Sequence, residues 1–257
     1  FHSDGQRDAA ARRGNAMINQ GDDAELWTRE QVREEVPYLD FEQTRFPIYG
    51  GLMHRRGGSA RHDAVAWGYA RGADRRGVDL IQNCEVTGID MENGVVKGVQ
   101  TTRGAIRAKK VAIIVAGRSS QVAAMAGMRL PIESHVLQAF VTEGLKPVID
   151  HVISFGMGHF YISQSDKGEL VIGSGTDQYV SYSQRGGLPL IEHTLAAICE
   201  IFPIFRRMRM LRKWGGIVDV TPDRSAILGK TPVPGLYVNC GWGTGGFTAT
   251  PGAAPVM

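Results

Sequence analysis

The strongest constraint on the fold is a series of strand-like runs that ends in a wholly apolar one. Val86–Met91 and Val95–Thr101 flank Asn93-Gly94, a dipeptide that favours a two-residue β-hairpin turn. After a second turn, Val111–Ala116 contains no polar side chain, which is typical of a strand covered on both faces in a parallel sheet. These runs predict an α/β sheet with an inserted β meander.

Helix signals precede and follow this region. Residues 6–20 have a helical pattern. The spacing of Thr28 and Gln31 predicts a capping box for a second helix, which must end before Pro37. Leu188–Phe202 has the spacing of an amphipathic helix. The other predicted elements are a helix from about Ser59 or Ala60 to Arg76 with Gly77 as its C-cap, and strands at Val78–Ile81, Ala105–Ala108, Val136–Thr142, His159–Ser163, Leu170–Ser174, Met208–Trp214, Ala226–Leu228 and Leu236–Cys240.

The composition excludes several classes of protein. Apolar residues make up 43% and charged residues 21% of the chain, which is the balance of a globular protein rather than a disordered one. The longest apolar run, Val111–Gly117, is far shorter than the roughly 20 residues of a membrane-spanning helix. The three cysteines lie far apart without a C-x-x-C pair, so we expect reduced thiols in a cytoplasmic protein.

Charge and short motifs narrow the chemistry further. The net charge of +3 gives no support for nucleic-acid binding. Arg206–Lys213 holds five basic residues in eight, and we interpret it as a solvated or partner-facing strand edge rather than a phosphate site. The sequence contains no H-E-x-x-H, no acidic cluster with metal-ligand spacing and no G-x-S-x-G. We therefore expect neither a metal site nor acyl-transfer chemistry.

Glycine is enriched, with 33 residues, and the enrichment includes one late cluster. Gly241–Gly246 matches G-x-G-x-x-G and follows a predicted strand. The dinucleotide fingerprint also needs a helix, a second strand and an acidic residue about 20 positions later, and the chain ends too soon for them. A loop that leads into a helix N-terminus and directs N–H groups at an electron-rich ligand is one interpretation. An ordinary glycine-rich turn is the other.

Two histidines are candidate functional residues. His62 lies in the first turn of the predicted helix that follows Gly57-Gly58, where a solvated residue beside the cap is the alternative interpretation. His159 precedes Phe160-Tyr161 on a predicted strand. An imidazole and a phenol on one sheet are able to line a cavity, although a hydrogen-bonded core histidine is the alternative.

Three segments together resemble the D-amino-acid oxidase-like family of FAD-dependent oxidoreductases. They are Gly57–Arg71, the meander with its closing strand from Val86 to Gly117, and the C-terminal group Trp214–Gly216, Thr221–Arg224 and Gly235–Phe247. The resemblance implies a three-layer FAD-binding domain with an inserted β meander, interleaved with an antiparallel-sheet substrate domain. It assigns residues 51–127 and 214–257 to the FAD-binding domain and residues 1–50 and 128–213 to the substrate and interface domain. The family's first βαβ unit and its extreme C-terminus have no counterpart here, so we expect the chain to be part of a longer protein.

The resemblance also implies which residues contact FAD. The adenosine contact of the family corresponds to Val86, the contact at the end of the closing strand to Ala116 and Gly117, and the isoalloxazine contacts to Gly243, Gly246 and Thr248. A physical argument supports the last group, because a reduced flavin carries negative charge that a helix N-terminus stabilises.

Within the family, Arg61–Trp67 and Gly241–Phe247 are most similar to the heterotetrameric, sarcosine-oxidising branch. That resemblance implies non-covalent FAD, FMN covalently bound to His62, and Arg61 paired with the FMN phosphate. It further implies that electrons pass from FAD to FMN to oxygen, giving hydrogen peroxide, and that partner subunits bind folate and NAD. The expected products of sarcosine are glycine and formaldehyde, or an imine that folate captures. We expect His159 and Tyr161 to line the substrate cavity.

One position departs from the family pattern. Relatives commonly have lysine directly after Gly-Gly-Phe, and here that residue is Thr248, whose hydroxyl carries no charge to meet a substrate carboxylate. Two alternatives therefore stay open. One is a single-FAD dehydrogenase or oxidase of dimethylglycine, proline or a D-amino acid. The other is a non-catalytic, flavin-holding subunit that relays electrons.

Overall fold

The chain, which a computed structural model describes from residue 1 to residue 257, contains six α-helices and thirteen β-strands. The helices are α1 (Asp4–Asn19), α2 (Arg29–Glu35), α3 (His62–Asp74), α4 (Ser119–Ala124), α5 (Leu188–Ile201) and α6 (Gly246–Ala253). The strands are β1 (Ala24–Thr28), β2 (Gly50–His54), β3 (Val86–Glu92), β4 (Val95–Thr101), β5 (Gly104–Arg107), β6 (Val111–Ile113), β7 (Glu133–Gly144), β8 (Ile153–Phe155), β9 (Phe160–Gln164), β10 (Glu169–Thr176), β11 (Met210–Val220), β12 (Ile227–Lys230) and β13 (Leu236–Cys240). The mixed α/β class is confirmed.

The chain forms two units, each with its own core. Unit 1 consists of residues 1–60, 138–176 and 185–214, and unit 2 consists of residues 61–137, 177–184 and 215–257. The assignment of one domain to FAD and the other to substrate stays a prediction.

Unit 1 is built on an antiparallel sheet with strand order β11-β7-β10-β9-β8. Alternate residues of β7 are buried, which is the pattern of a strand with one face on a core. The core of this unit is rich in aromatic rings, and the rings of Phe155 and Phe160 stack with centroids 5.6 Å apart. Burying a side chain such as Phe140 stabilises the fold by about 1.5–3 kcal/mol.

Short sequence signals predict the helices of unit 1 well. Thr28 and Gln31 form the predicted capping box at the start of α2, and that helix ends at Glu35, before Pro37. Gly50–His54 pairs with β1 as an antiparallel strand, and neither of these strands is among those predicted from the sequence. The difference arises because the pairing partner lies more than 20 residues earlier, beyond the reach of local patterning.

Unit 2 contains the predicted meander, β3-β4-β5, and a small sheet with order β12-β13-β6. Asn93 and Gly94 have φ of 52° and 76°, as a tight hairpin turn requires. Strand β6 pairs in parallel with β13, with Val111 opposite Leu236, so the predicted parallel pairing is confirmed. Ile113 and Val238 belong to the core of this unit.

Two strand predictions in unit 2 are wrong. Val78–Ile81 forms no strand, and its apolar side chains are about half exposed, because no other strand of the chain pairs with it. The predicted strand Val111–Ala116 ends at Ile113, and Ile114 and Val115 are 59% and 41% exposed. Coverage on both faces was expected from the apolar run, but Ala112 of β6 is exposed and only Ile113 is fully buried.

None of the six helices combines the length and the apolar character that a bilayer-spanning segment needs.

Candidate functional site

The glycine cluster follows β13 as a tight loop that two hydrogen bonds fasten to β11. The N–H of Gly241 donates to Oδ2 of Asp219 at 2.5 Å, and the N–H of Gly243 donates to the backbone oxygen of Asp219 at 2.9 Å. Gly241 and Gly243 have φ of 75° and 53°, which a residue with a Cβ adopts only with strain. The cluster is therefore an ordered loop, and glycine is required for its conformation.

The loop leads directly into α6, whose first turn has free backbone donors. No side chain caps Gly245, and the first turn contains no acidic residue. The N–H groups of Gly246, Phe247 and Thr248 have no intrahelical acceptor by helix geometry. This helix end therefore attracts negative charge, and whether the cluster faces a ligand stays a prediction.

Thr248 uses its hydroxyl within the helix. Its Oγ1 donates to the backbone oxygen of Gly245 at 3.0 Å. A hydroxyl carries one proton, so Thr248 cannot donate to a substrate carboxylate without giving up this bond.

A second tight turn follows β6, where the resemblance places Ala116 and Gly117. Ala116 has φ of 44°, a left-handed conformation that costs an alanine free energy. Its carbonyl accepts from Ser119 Oγ at 2.7 Å, and the carbonyl of Gly117 accepts from Ser134 Oγ at 2.7 Å. A strained Ala116, bound by one serine hydroxyl and followed by a Gly117 bound by another, marks this turn as a fixed part of the unit.

Strand β11 contacts both turns. A Cβ on Gly117 would overlap the side chain of Ile217 and lie 2.7 Å from its backbone oxygen, so the turn after β6 packs directly on β11. Asp219, two residues further along, holds the loop after β13. The structure thus brings Gly117 and Gly243 to one strand. Val86 lies on the separate meander sheet, where it pairs with Thr101.

Asp219 is a candidate residue that sequence reasoning missed. It is 2% exposed, and it lies beside the buried thiol of Cys240. Burial, and then the Asp219 carboxylate, raises the pKa of Cys240 to about 11. The signal that could have found Asp219 is a single carboxylate in the otherwise apolar run Ile217–Val220.

His62 lies at the start of α3 and is exposed. No hydrogen bond or ion pair within the chain involves its ring, which leaves its nitrogens accessible to another group. Arg61, the N-cap residue, forms an ion pair with Asp63 at 2.8 Å. The Arg61 guanidinium, as the largest cause, lowers the pKa of the Asp63 carboxyl.

His159 and Tyr161 belong to unit 1, whereas all the other predicted site residues belong to unit 2. His159 is exposed and has φ of 50° in the turn before β9, so it is not a core histidine. Tyr161 is 44% exposed, and a Cβ on Gly173 of β10 would overlap its ring. The phenol therefore lies over Gly173, a position that the missing Cβ keeps open.

A cavity of about 1040 Å³ lies elsewhere in unit 1, between α1, the end of β2 and the loop before β8. Its walls include Arg13, His54, Ser59 and His151, and Nδ1 of His151 is buried without a hydrogen-bond partner. None of the predicted site residues lines it. The two turns on β11 are the stronger candidate site, because there the backbone geometry itself requires glycine.

Known proteins are similar to this chain over nearly its whole length. The model of the family described as FAD dependent oxidoreductase matches residues 1–257. Sarcosine oxidase subunit beta of Rhizobium meliloti (strain 1021) is 63% identical over 251 residues, which cover 98% of this chain and 60% of that protein. The protein of the same name from Rhodobacter capsulatus is 57% identical over 227 residues, 88% of this chain and 55% of that one.

Among solved structures, L-proline dehydrogenase from P. horikoshii aligns with a TM-score of 0.86 and 26% identity, covering 98% of this chain and 67% of that one. The chain thus spans less than two thirds of the length of the curated relatives described above.

Proposed function

Because the chain belongs to the FAD-dependent oxidoreductase family, we propose that it takes part in the oxidation of a small secondary amine, sarcosine. In the overall reaction, sarcosine, water and oxygen give glycine, formaldehyde and hydrogen peroxide. The observation that carries this proposal is the 63% identity, over 98% of the chain, to a protein named sarcosine oxidase subunit beta. FAD, when bound, supplies the two-electron acceptor for oxidation of the C–N bond.

The residues of unit 2 fit an electron-rich flavin ring. The uncapped first turn of α6 offers the N–H groups of Gly246 and Thr248, and it contains no acidic side chain to repel the ligand. Gly243 presents its backbone without a Cβ in front of this turn. We assign the flavin ring to this loop, further cofactor contacts to Ala116 and Gly117, and the adenosine contact to Val86.

On the substrate side we assign His159 and Tyr161. Both are exposed on the strand β9 or in the turn before it. A neutral imidazole accepts a proton, so His159 is able to take the proton of the substrate ammonium before oxidation. Tyr161 supplies an aromatic wall and a hydroxyl. Thr248 is expected to bind the substrate carboxylate weakly, because its proton is donated to Gly245.

We further propose that His62 carries FMN through a ring nitrogen. Covalent FMN there would supply the route by which electrons reach oxygen. The ring of His62 is exposed and forms no hydrogen bond or ion pair that such a bond would have to break. Arg61 already pairs with Asp63, so binding of the FMN phosphate by Arg61 requires that ion pair to be shared.

The relatives described above are each named as a subunit, and we propose that this chain likewise functions in a hetero-oligomer. Partner subunits that bind folate and NAD, a heterotetrameric assembly and a cytoplasmic location stay predictions.

The first test is a mass spectrum of a tryptic digest of the full-length protein, isolated with its natural partners. Cleavage after Arg61 and Arg71 releases His62–Arg71, which we expect to carry the mass of one FMN. A His62→Ala variant should lose this flavin, whereas His54→Ala, at a histidine of β2 with no assigned role, should retain it. An unmodified peptide from a fully flavin-loaded preparation would contradict the two-flavin proposal and leave the single-FAD alternative.

A second measurement separates catalysis from electron relay. Addition of sarcosine without oxygen should bleach the visible absorption of the bound flavin. If the flavin stays oxidised with sarcosine but bleaches with dimethylglycine, proline or a D-amino acid, the substrate assignment is wrong and the flavin assignment stands. A flavin that none of these amines reduces indicates a subunit that relays electrons.

A further inference from the structure

Asp219 is a buried carboxylate to which the proposed mechanism has assigned no task. It is 2% exposed, and two of its three oxygens accept hydrogen bonds from the loop after β13. Its side chain accepts from Gly241 at 2.5 Å, and its backbone oxygen accepts from Gly243 at 2.9 Å. A single residue of β11 thus fixes the loop at two points.

Nothing in the chain compensates the charge of this carboxylate as an ion pair would. None of the salt bridges of the molecule includes Asp219. Burial of a charged group without a cationic partner costs free energy, and a neutral residue in β11 would avoid that cost. Asp223 offers a contrast, since it accepts from the N–H of Ser225 in an exposed turn.

Elsewhere in the loop, Trp242 Nε1 donates to Oδ1 of Asn239 and the N–H of Gly245 donates to the oxygen of Trp242, but the N–H groups of Gly241 and Gly243 donate only to Asp219. Gly241 and Gly243 both have positive φ, and glycine adopts many other conformations at little cost. An acceptor that is ionised makes a shorter and stronger hydrogen bond than a neutral one. A buried carboxylate is therefore the side chain best suited to hold such a loop in one conformation.

We propose that Asp219 is a positioning residue, which holds Gly241–Gly243 so that the first turn of α6 meets the flavin in one orientation. The inference rests on the proposed function, because it presumes that the loop binds FAD. Asp219 acts through the loop and is not assigned any contact with the cofactor.

The test is FAD affinity in the full-length protein, measured by titrating the apoprotein. In Asp219→Ala the N–H of Gly241 loses its acceptor, and we expect FAD to bind at least about tenfold more weakly. Asp219→Asn keeps an acceptor of the same shape without the charge, and it should weaken binding by only about threefold. Asp223→Asn, the matched control, should bind FAD as the wild type does.

Two further readouts separate positioning from a merely structural role. The melting temperature of each apoprotein reports stability, and the visible circular dichroism of bound FAD reports its surroundings. We expect Asp219→Asn to melt close to the wild type while its FAD affinity and dichroism change. If Asp219→Ala does not fold, Asp219→Asn decides the matter by itself.

Unchanged affinity and dichroism in the folded Asp219 variants would overturn this inference and leave the proposed function intact. A wild-type protein that binds no FAD would overturn both.

Discussion

A substitution of Thr248 tests the proposed substrate most directly. Its hydroxyl donates to Gly245 and brings no positive charge to the start of α6. We expect Thr248→Lys to lower the KM for sarcosine by about tenfold, since a hydrogen bond between charged groups contributes about 1.5–3 kcal/mol. The measurement is steady-state kinetics of the assembled enzyme.

The matched control is Thr250→Lys, which adds the same charge at an exposed position of the same helix. It should leave the KM unchanged. An equal fall in KM for both variants would show a general effect of charge, and no change in Thr248→Lys would place the substrate carboxylate elsewhere.

Cys240 provides a prediction about pH. Burial, with the carboxylate of Asp219 as a second cause, raises the pKa of this thiol from 9.0 to about 11. The folded state therefore favours the protonated thiol. The resulting contribution to stability is complete below pH 9.0 and is lost as the pH rises towards 11.

The measurement is alkylation with iodoacetamide at about pH 8, where the thiolate is the reactive form. We expect Cys240 to react at least about a hundredfold more slowly in the folded than in the unfolded chain, because two pKa units separate the thiolate fractions. Cys84 and Cys199, which are not fully buried, serve as internal controls. Equal rates for Cys240 in both states would contradict the described burial.

At the residue scale, the sequence was informative where chemistry follows from residue type. The glycines of Gly241–Gly246 indicated an unusual backbone, and two of them have positive φ. Ala116 gave no such sign, because its left-handed conformation is set by contacts of Ser119 and Gly117 that arise only in the folded chain. Asp219 was missed for the same reason, since its partner lies 22 positions away.

At the scale of elements, the contact between β9 and β10 links packing to the proposed substrate face. Gly173 stands opposite Tyr161 in the pairing of these strands, and its missing Cβ makes room for the phenol. We expect Gly173→Ala to displace the ring, which is exposed and free to move, and thereby to raise the KM for the amine several-fold. Stability should fall by less than about 1.5 kcal/mol, because the overlapping atoms belong to a movable side chain.

Gly175→Ala is the matched control, two residues further along β10. A Cβ there would meet the Leu190 side chain at 3.6 Å, an ordinary contact, so KM and melting temperature should both stay near those of the wild type. A large loss of stability in Gly173→Ala, or an equal change of KM in both variants, would argue against a role for Tyr161 at the substrate.

Elements with strong local signals were predictable, and those that depend on a distant partner were not. The capping box of α2 and the turn at Asn93-Gly94 are contained in a few residues each, and both formed as expected. Val78–Ile81 has the composition of a strand but remains unpaired. A strand forms only where a neighbouring strand pairs with it, so composition by itself predicts only the tendency to form one.

At the scale of the whole molecule, composition and periodicity gave the mixed α/β class but not the limits of the two units. Unit 2 gives way to unit 1 between Leu137 and Gln138, inside β7, where the alternation of buried residues continues unchanged. Sequence periodicity reports which face of a strand is buried and carries no sign of which core buries it.

The division into units leads to a last prediction, about where FAD protects the chain. Backbone amides that exchange through local opening are slowed by a ligand that binds the closed form. We expect FAD to slow hydrogen exchange in the full-length apoprotein at Val115–Ser119 and Cys240–Thr248, by up to about a hundredfold at an FAD concentration about 100 times its Kd. The peptide covering α1, in unit 1, serves as the control because no FAD contact is assigned to it. Direct contact with FAD slows the local opening of these two turns more than the opening of the rest of the chain. Protection confined to the α1 peptide, or equal protection everywhere, would therefore contradict the assignment of the flavin to the two turns on β11.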